Sequence, residues 1–237
     1  IDLIKMSDVR KYNITFTSML SLSNFTRLII FEQSSKSDLH EELSKILINK
    51  FGEKRVSFIT NEEQEFYNNS NLLILTDFSA RAFSLIRTKF GCYINANVAV
   101  DPFWYDRIKA LSSSYYESNP NSPIYFTGRR IQVPLSTKEI KNFINLPSKN
   151  FYKSLRKLIR SKEASAKCIK QCESDYFVFT VDPFPFDLRY LPEFKLTGGF
   201  FSMYLNYYAE SRKNSFCTNE KVPVYYLPHY RKTVCHP

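Results

Sequence analysis

Two pairs of aspartates in a repeated motif are the first candidates for catalytic chemistry. Asp101 and Asp106 lie in the heptapeptide VDPFWYD at residues 100–106, and Asp182 and Asp187 lie in VDPFPFD, 81 positions further along the chain. Each copy follows an apolar run that predicts a strand. Ligands of open α/β sheets bind at the carboxyl ends of strands, so two such loops could converge to hold a divalent ion or to supply a base. On this hypothesis the candidate catalytic residues are Asp101, Asp182 and Asp187.

The same motif has a structural explanation that requires no ligand. Proline cannot donate a hydrogen bond to a strand ladder, and its fixed φ suits the first central position of a type I turn. The aspartate before it accepts backbone N–H groups across the turn, and the phenylalanine after it packs into the core. The second aspartate then caps the next element of the chain, as Asp106 would cap the RIKAL segment. The motif therefore favours the end of a strand over a metal or catalytic site.

The glycine and histidine content argues against several enzyme classes. The five glycines, at positions 52, 91, 128, 198 and 199, include no pair with G-x-G spacing. Dinucleotide-binding and P-loop motifs need glycines that bring the backbone close to phosphate, so neither motif is present. The chain also lacks the G-x-S-x-G and H-E-x-x-H motifs, and its three histidines leave few ways to build a Ser/His or Cys/His pair. The sequence predicts no cofactor.

The strongest functional feature is the segment SKNFYKSLRKLIRSK at residues 148–162, which predicts an amphipathic helix. Phe151, Leu155 and Ile159 form its apolar face. Residues 149–170 hold eight lysines or arginines and one acid. An exposed helix face normally mixes charges of both signs, so this bias favours a polyanionic partner, although a merely soluble basic face explains it too. The predicted polyanion-binding residues are Arg129, Arg130, Lys149, Lys153, Arg156, Lys157 and Arg160.

Composition places the chain among globular proteins with an excess of positive charge. With 237 residues, 43% of them apolar, and a net charge of +10, the chain can bury a core and attract an anionic partner. Its longest apolar stretches, such as LLIL at residues 72–75, are too short to cross a bilayer, so no transmembrane segment is predicted. If the protein is secreted, the partner would be a sulfated glycan or an anionic lipid surface. If it is internal, the partner would be RNA.

Cysteines and glycosylation sequons favour the secretory pathway. Three N-x-Ser/Thr sequons make Asn13, Asn24 and Asn68 glycosylation candidates. Five cysteines are more than a reduced cytosolic protein needs. The sequence therefore predicts a secreted or luminal glycoprotein.

Four of the five cysteines lie in the last 70 residues and are candidates for disulfide bonds: Cys168, Cys172, Cys217 and Cys235. A disulfide between the last two explains them with fewer assumptions than a zinc site completed by nearby histidines, because the spacing fits no familiar zinc finger. The first two pair either with each other or with other cysteines. The odd count leaves Cys92 free or paired to a partner chain.

Alternating elements in the first half predict an α/β fold. Apolar runs predict strands, and amphipathic segments predict helices. The order strand, helix, strand argues for a mainly parallel sheet in a three-layer arrangement. The predicted strands are residues 27–33, 55–60, 71–77 and 93–100, and the predicted helices are residues 37–52 and 80–90.

The second half is less regular, and the repeated motif suggests that it forms a lobe related to the first. Strands are predicted at residues 123–128 and 175–181, a capping box at Ser136 and Glu139, and a further helix after the glycine pair at 198–199. The predicted division is an N-terminal α/β lobe at 1–106, a loop or linker at 107–122, and a C-terminal α/β lobe at 123–237 that contains the basic helix and an irregular, disulfide-tied end.

Three short segments resemble pieces of the Golgi carbohydrate sulfotransferases. TKFGC at residues 88–92 is similar to their lysine-containing 5′-phosphosulfate loop, YFVFTVDPF at residues 176–184 to the strand that enters their 3′-phosphate loop, and LPHYRKTVCHP to a His/Cys segment near their C-terminus. The chain departs from the family pattern at Val181, where the family has a phosphate-binding arginine. The resemblance implies a transferase for an anionic nucleotide donor, in which Lys89 contacts the 5′-phosphate and Arg189 replaces the missing arginine.

The leading hypothesis is a secreted recognition domain that binds a polyanion without catalysis. The alternatives are the nucleotide-donor transferase and an intracellular RNA-associated protein. The residues alone do not decide whether the chain is an enzyme.

Overall fold

A computed structural model gives the fold as a mixture of helices and strands. It describes residues 6–32, 38–60, 75–119, 121–128, 130–133, 136, 138–139, 142, 148–162, 167–168, 176–187, 192, 194, 204–205, 207–208, 211, 215–217 and 224–226. The helices are α1 (Met6–Leu20), α2 (Asp38–Phe51), α3 (Leu75–Ser84), α4 (Trp104–Ser118) and α5 (Ser148–Lys162), with a 3₁₀ turn at Glu53–Arg55. The strands are β1 (Leu28–Glu32), β2 (Val56–Thr60), β3 (Phe90–Ile94), β4 (Val98–Val100), β5 (Tyr125–Gly128), β6 (Arg130–Gln132), β7 (Lys167–Cys168), β8 (Tyr176–Thr180), β9 (Ser215–Cys217) and β10 (Val224–Tyr226).

The described strands form three small sheets. β1 and β2 make a parallel pair, the β4 sheet has the order β4-β10-β6-β7, and the β8 sheet has the order β3-β8-β5-β9. Four of the seven described pairings are antiparallel. The prediction of a mixed α/β protein is confirmed. The described strands do not form the mainly parallel, three-layer sheet expected from the first half, because β3 and β4 pair with strands from the other end of the chain.

Both four-stranded sheets combine strands from the two sides of the predicted lobe boundary. β4 pairs with β10, with Val98 opposite Tyr226, and β3 pairs with β8, with Phe90 opposite Thr180. The predicted linker at 107–122 is largely helical, since α4 continues to Ser118. The serine-rich composition of this segment suggested a loop. Serine is nevertheless compatible with a helix when its hydroxyl bonds within the helix, as Ser112 does by donating to the Ile108 carbonyl at 2.8 Å.

The elements between residues 71 and 90 start and end at other positions than the apolar pattern predicts. The end of the predicted strand 71–77 is helical, because α3 begins at Leu75. The predicted helix 80–90 stops at Ser84, and Phe90 opens β3.

The predicted strand 93–100 is divided into β3 and β4, which lie in different sheets. The division occurs at the Asn-Ala-Asn segment, where the Val98 N–H donates to the Asn95 carbonyl at 3.0 Å. Asparagine favours such turns because it tolerates turn conformations and bonds locally.

The centre of the β8 sheet is aromatic and requires glycine on either side. All five residues of β8 are buried. Gly91 lies opposite Phe179, and Gly128 lies opposite Tyr176. A Cβ atom on Gly91 would lie 2.6 Å from the Phe179 ring, so the ring occupies the space that a side chain would need. Two of the chain's five glycines are therefore explained by strand packing.

α1 is a buried helix whose polar side chains satisfy neighbouring backbone groups. The Thr15 hydroxyl donates to the Ala96 carbonyl at 2.6 Å, and the Ser18 hydroxyl accepts the Val100 N–H at 3.0 Å. The end of α1 is satisfied by Arg55, whose guanidinium donates to three backbone carbonyls, those of Leu20, Ser23 and Thr26. These bonds supply partners that a helix C-terminus lacks.

The helices with the clearest sequence patterns are confirmed. α2 spans Asp38–Phe51, with Leu43 and Leu47 buried, and Gly52 follows it at a positive φ of 85°. α5 has the bounds that its apolar periodicity predicts. Among the described helices, none is long and apolar enough to cross a membrane.

Candidate polyanion-binding surface

α5 is anchored to the protein through its apolar face. Phe151, Leu155 and Ile159 are buried, as the sequence predicts. The other buried members of their cluster come from α1 and from the strands of the β4 sheet or their ends, and are Ile14, Ala99, Val133 and Tyr225. These contacts fix the rotation of α5 about its axis, so the opposite side of the helix is held toward solvent.

The exposed side of α5 carries cations without compensating acids. The helix has 15 residues, of which six are Lys or Arg and none is Asp or Glu. Four of these cations are described with their side chains, all are exposed, and together they form the α5 cation face: Lys153, Arg156, Lys157 and Arg160. The structure thus brings four of the seven predicted residues together. The side chains of the other three, Arg129, Arg130 and Lys149, lie outside the described residues.

Tyr152 ties α5 to α1 beside the cation face. Its hydroxyl donates to the Ser18 carbonyl. Burial, and secondarily the negative charge of Asp101, raises the pKa of Tyr152. The phenol is therefore held in its neutral, donating form.

The first copy of the repeated motif forms a tight turn next to α5. Asp101 is 6% exposed, and its carboxylate accepts the Phe103 N–H at 2.8 Å. The Asp101 carbonyl accepts the Trp104 N–H at 2.9 Å, which opens α4. Its carboxylate also lies 3.8 Å from the Arg107 guanidinium. The Asp101 carboxylate thus accepts a backbone N–H of the turn that follows β4, as the turn interpretation predicts.

Phe103 departs from the expectation that the phenylalanine of the motif packs into the core. Its side chain is 42% exposed, and the guanidinium of Arg156 lies 5.0 Å from the centre of its ring. The core position is taken by its neighbour Trp104, which is buried with Ile108 on the inner side of α4. The sequence analysis did not predict that Phe103 is exposed. The four-residue spacing of Trp104 and Ile108 could have indicated it, because residues at that spacing share one helix face and would leave Phe103 outside the core. An aromatic ring thus borders the α5 cation face.

Asp106 also differs from its predicted role as a cap. α4 begins at Trp104, so Asp106 lies inside the first turn of the helix, exposed, and not at its cap position. A carboxylate there still favours the helix through the dipole of its N-terminus.

The second copy of the motif has a different environment. Asp182 is exposed, and Thr180 makes the local bonds: its hydroxyl accepts the Ile124 N–H at 3.0 Å and donates to the Pro183 carbonyl at 2.6 Å. Phe184 packs against the aromatic cluster of the β8 sheet. Asp187 is half-buried. The two motifs therefore end strands of different sheets, and the first aspartate is buried in one motif and exposed in the other.

Among the described residues, the candidate catalytic aspartates are not grouped into a metal centre. In the part of the chain that the structure describes, no group of three or more His, Cys, Asp or Glu side chains is placed to hold a metal ion. The site chemistry that the structure brings together is instead cationic and aromatic.

Lys89, the predicted 5′-phosphate contact, lies beside the second motif. Its carbonyl accepts the Val181 N–H at 3.0 Å, so two of the segments that resemble sulfotransferase loops are neighbours. The Lys89 ammonium lies 4.3 Å from the centre of the Tyr116 ring. The segment leads directly into β3 and not into a helix N-terminus, which is a common site for phosphate. Arg189 lies outside the described residues.

The disulfide predictions fall largely outside the described side chains. Cys168 and Cys217 lie in β7 and β9, which belong to different sheets, and nothing is described of their side chains. Cys172 and Cys235 lie outside the described residues. Cys92 is a free, exposed cysteine. The described part of the chain contains no disulfide, and the proposed pairings stay predictions.

The three sequons have different accessibility. Asn24 is exposed in the turn between α1 and β1. Asn13 is 8% exposed inside α1, and its side-chain oxygen accepts the Thr17 hydroxyl at 3.2 Å, so the folded chain leaves no room for a glycan there. Asn68 lies outside the described residues.

Comparison with known proteins adds no family to this description. The chain matches no protein-family model, and no curated protein matches it in sequence. The α5 cation face and its neighbours are consequently the features that suggest a function.

Proposed function

We propose that this protein is a non-catalytic recognition domain that binds a polyanion, a sulfated glycan or an anionic lipid surface, through the α5 cation face. The observation that carries the proposal is the exposure of four cations on one helix that contains no acid. Such a surface attracts arrays of sulfate or phosphate groups and releases their condensed counterions on binding.

The spacing of these cations supports a ligand over a merely solvated face. Lys153 and Lys157 are four residues apart, as are Arg156 and Arg160. Like charges at this spacing destabilise a helix by about 0.2–0.5 kcal/mol for each pair. A bound polyanion would neutralise this repulsion, so the pattern has a use in the complex that it lacks in the free protein.

We place this activity in the secretory pathway or outside the cell. Asn24 supports this part of the proposal, because its sequon lies in an exposed turn where a glycan can be accommodated. Expression through a secretory host, followed by mass spectrometry of glycopeptides, tests it. We expect glycan at Asn24 and none at Asn13. A secreted, folded protein with Asn24 unmodified would contradict the glycoprotein assignment.

The binding experiment compares heparin affinity across a salt series for the wild type and a quadruple variant. For a duplex nucleic acid, four contacts predict a log–log slope of about −3.6, or roughly a 150-fold loss of affinity between about 50 and 200 mM salt, and heparin should follow the same trend. The α5 variant reverses the whole cation face: Lys153→Glu, Arg156→Glu, Lys157→Glu and Arg160→Glu. We expect it to fold and to lose binding.

A matched control separates the α5 cation face from net charge. Each reversal changes the charge by two, so any four reversals lower the net charge from +10 to +2. The control variant reverses four exposed cations outside α5: Lys54→Glu, Arg81→Glu, Lys109→Glu and Lys138→Glu. We expect it to retain most of the affinity. Equal losses in both variants would mean that binding is unspecific, and no binding by the wild type at low salt would leave α5 as a solvated face.

The transferase alternative has one supporting observation, the adjacency of Lys89 and Val181. It predicts that a sulfonucleotide or sugar-nucleotide donor stabilises the fold, by about 2.7 kcal/mol at 100 times its dissociation constant. Thermal denaturation with a panel of donors, with and without Mn²⁺, measures this. No shift in melting temperature would remove the alternative.

A further inference from the structure

Phe103 is an aromatic side chain that the fold holds at the surface instead of in the core. It belongs to none of the described hydrophobic clusters, whereas the equivalent residue of the second motif, Phe184, packs against one. Exposed single apolar residues are common on proteins. Phe103 differs from that background because the guanidinium of Arg156, a member of the α5 cation face, lies 5.0 Å from its ring centre.

The backbone around Phe103 is fixed before any ligand arrives. Its N–H donates to the Asp101 carboxylate at 2.8 Å, and its carbonyl accepts the Arg107 N–H at 3.0 Å in the first turn of α4. Asp101 is also close enough to Tyr152 for its negative charge to raise the pKa of the phenol, and Tyr152 fastens α5 to α1. The ring and the cation face therefore keep their relative position, and a preorganised site loses less entropy on binding.

We propose that Phe103 is a ring-stacking subsite of the polyanion-binding surface, where one sugar ring of a sulfated glycan lies on the part of the phenyl ring that Arg156 leaves exposed, while its sulfate groups bind the cations of the α5 cation face. The proposal rests on the proposed function and names its ligand class. The electron-rich face of an aromatic ring attracts the weakly positive C–H groups of a pyranose. The planar guanidinium of Arg156, which lies over the ring, offers paired donors to sulfate oxygens.

The surroundings of Phe103 favour a sugar over the other polyanions. Proteins that bind single-stranded nucleic acid provide several aromatic platforms for successive bases. Among the described exposed aromatic side chains, Phe103 is the one whose ring lies under a cation of α5. Insertion into lipid requires a protruding side chain, whereas more than half of Phe103 is covered, since it is 42% exposed. One partly covered platform beside cations, which is what the described residues provide, suits one ring of a sulfated chain.

The test compares three probes: a short heparin oligosaccharide, inorganic polyphosphate as a polyanion without rings, and a single-stranded oligo(dT). The variants are Phe103→Ala and Phe103→Leu, and the second keeps apolar bulk while removing the planar face. Tyr105→Ala is the control for an exposed aromatic residue nearby. Phe184→Ala is the control for the other motif, and we expect it to lower the melting temperature without a specific effect on heparin.

We expect both Phe103 variants to fold with an unchanged melting temperature, to bind heparin about three- to tenfold more weakly, and to bind polyphosphate within about twofold of the wild type. Equal effects on heparin and polyphosphate, or no effect on either, would overturn the subsite. A loss confined to oligo(dT) would overturn it in favour of nucleic acid. If the quadruple α5 variant loses heparin while the Phe103 variants keep full affinity, the stacking subsite fails and the proposed function stands.

Discussion

Replacing the first aspartate of each repeated motif tests whether the two residues stabilise the fold equally, as their shared sequence suggests, or unequally, as their different burial suggests. In Asp101→Ala, the Phe103 N–H loses its acceptor at 2.8 Å in a position where the carboxylate is buried. A hydrogen bond to a charged group contributes about 1.5–3 kcal/mol, so we expect a loss of this order. Asp182 is exposed, so Asp182→Ala should change stability by no more than about 0.5 kcal/mol.

Asparagine distinguishes the hydrogen bond from the charge. Asp101→Asn keeps an oxygen acceptor for the turn and removes the interaction with Arg107, which lies 3.8 Å away and is partly exposed. Partly exposed ion pairs contribute at most about 1 kcal/mol. Asp101→Asn should therefore be less destabilising than Asp101→Ala, and heparin binding should survive in both.

Urea denaturation at neutral pH measures all three variants against the wild type, with Arg107→Gln as the control for the lost ion pair. An unchanged m-value licenses comparison of the free energies of unfolding. The reasoning is refuted if the two alanine variants are equally destabilised, or if Asp101→Asn costs as much as Asp101→Ala. Loss of binding at unchanged stability would instead assign Asp101 a functional role.

Three further predictions concern the packing around the site. Because the folded-state pKa of Tyr152 is raised, the stabilisation by its neutral phenol is complete below the ordinary tyrosine pKa of about 10 and is lost as pH rises above it. Tyr152→Phe should therefore cost about 1 kcal/mol at pH 7 and progressively less in urea titrations above about pH 10; a pH-independent cost would contradict this. Leu155→Ala should cost about 2–5 kcal/mol, whereas Lys157→Ala should stay within about 0.5 kcal/mol, and similar denaturation midpoints would mean that the buried face of α5 is wrongly assigned. Gly91→Ala should cost about 1–3 kcal/mol because its Cβ meets the Phe179 ring, and a neutral change in melting temperature would refute that packing.

Structural features that depend on residues close together in the sequence could be predicted from it. α5 was predictable because its apolar spacing and its charges lie in 15 consecutive residues. The capping box was predictable for the same reason: the Glu139 carboxylate accepts the Ser136 N–H at 2.7 Å, and the Ser136 hydroxyl accepts the Glu139 N–H at 3.3 Å.

Features that depend on distant partners could not be predicted in this way. The run 93–100 has one apolar pattern, yet its two ends pair with strands in different sheets, β8 and β10. Nothing local indicates which distant strand each end will meet. The position of the VDPF turn next to α5 has the same cause, since Phe103 and Arg156 are brought together only by the tertiary fold.

The one position at which the two motifs differ in character accounts for their different environments. After VDPF the first copy has Trp104, which can adopt helical φ and ψ and bury its large side chain, so α4 starts there and Phe103 remains on the outside. The second copy has Pro185, which disfavours helical conformation in the residue before it. No helix begins at that point, and Phe184 and Phe186 both pack into the aromatic cluster, with ring centres 5.6 Å apart. A shared Asp-Pro therefore ends both strands, while the residue after the phenylalanine decides which motif presents its ring to the α5 cation face.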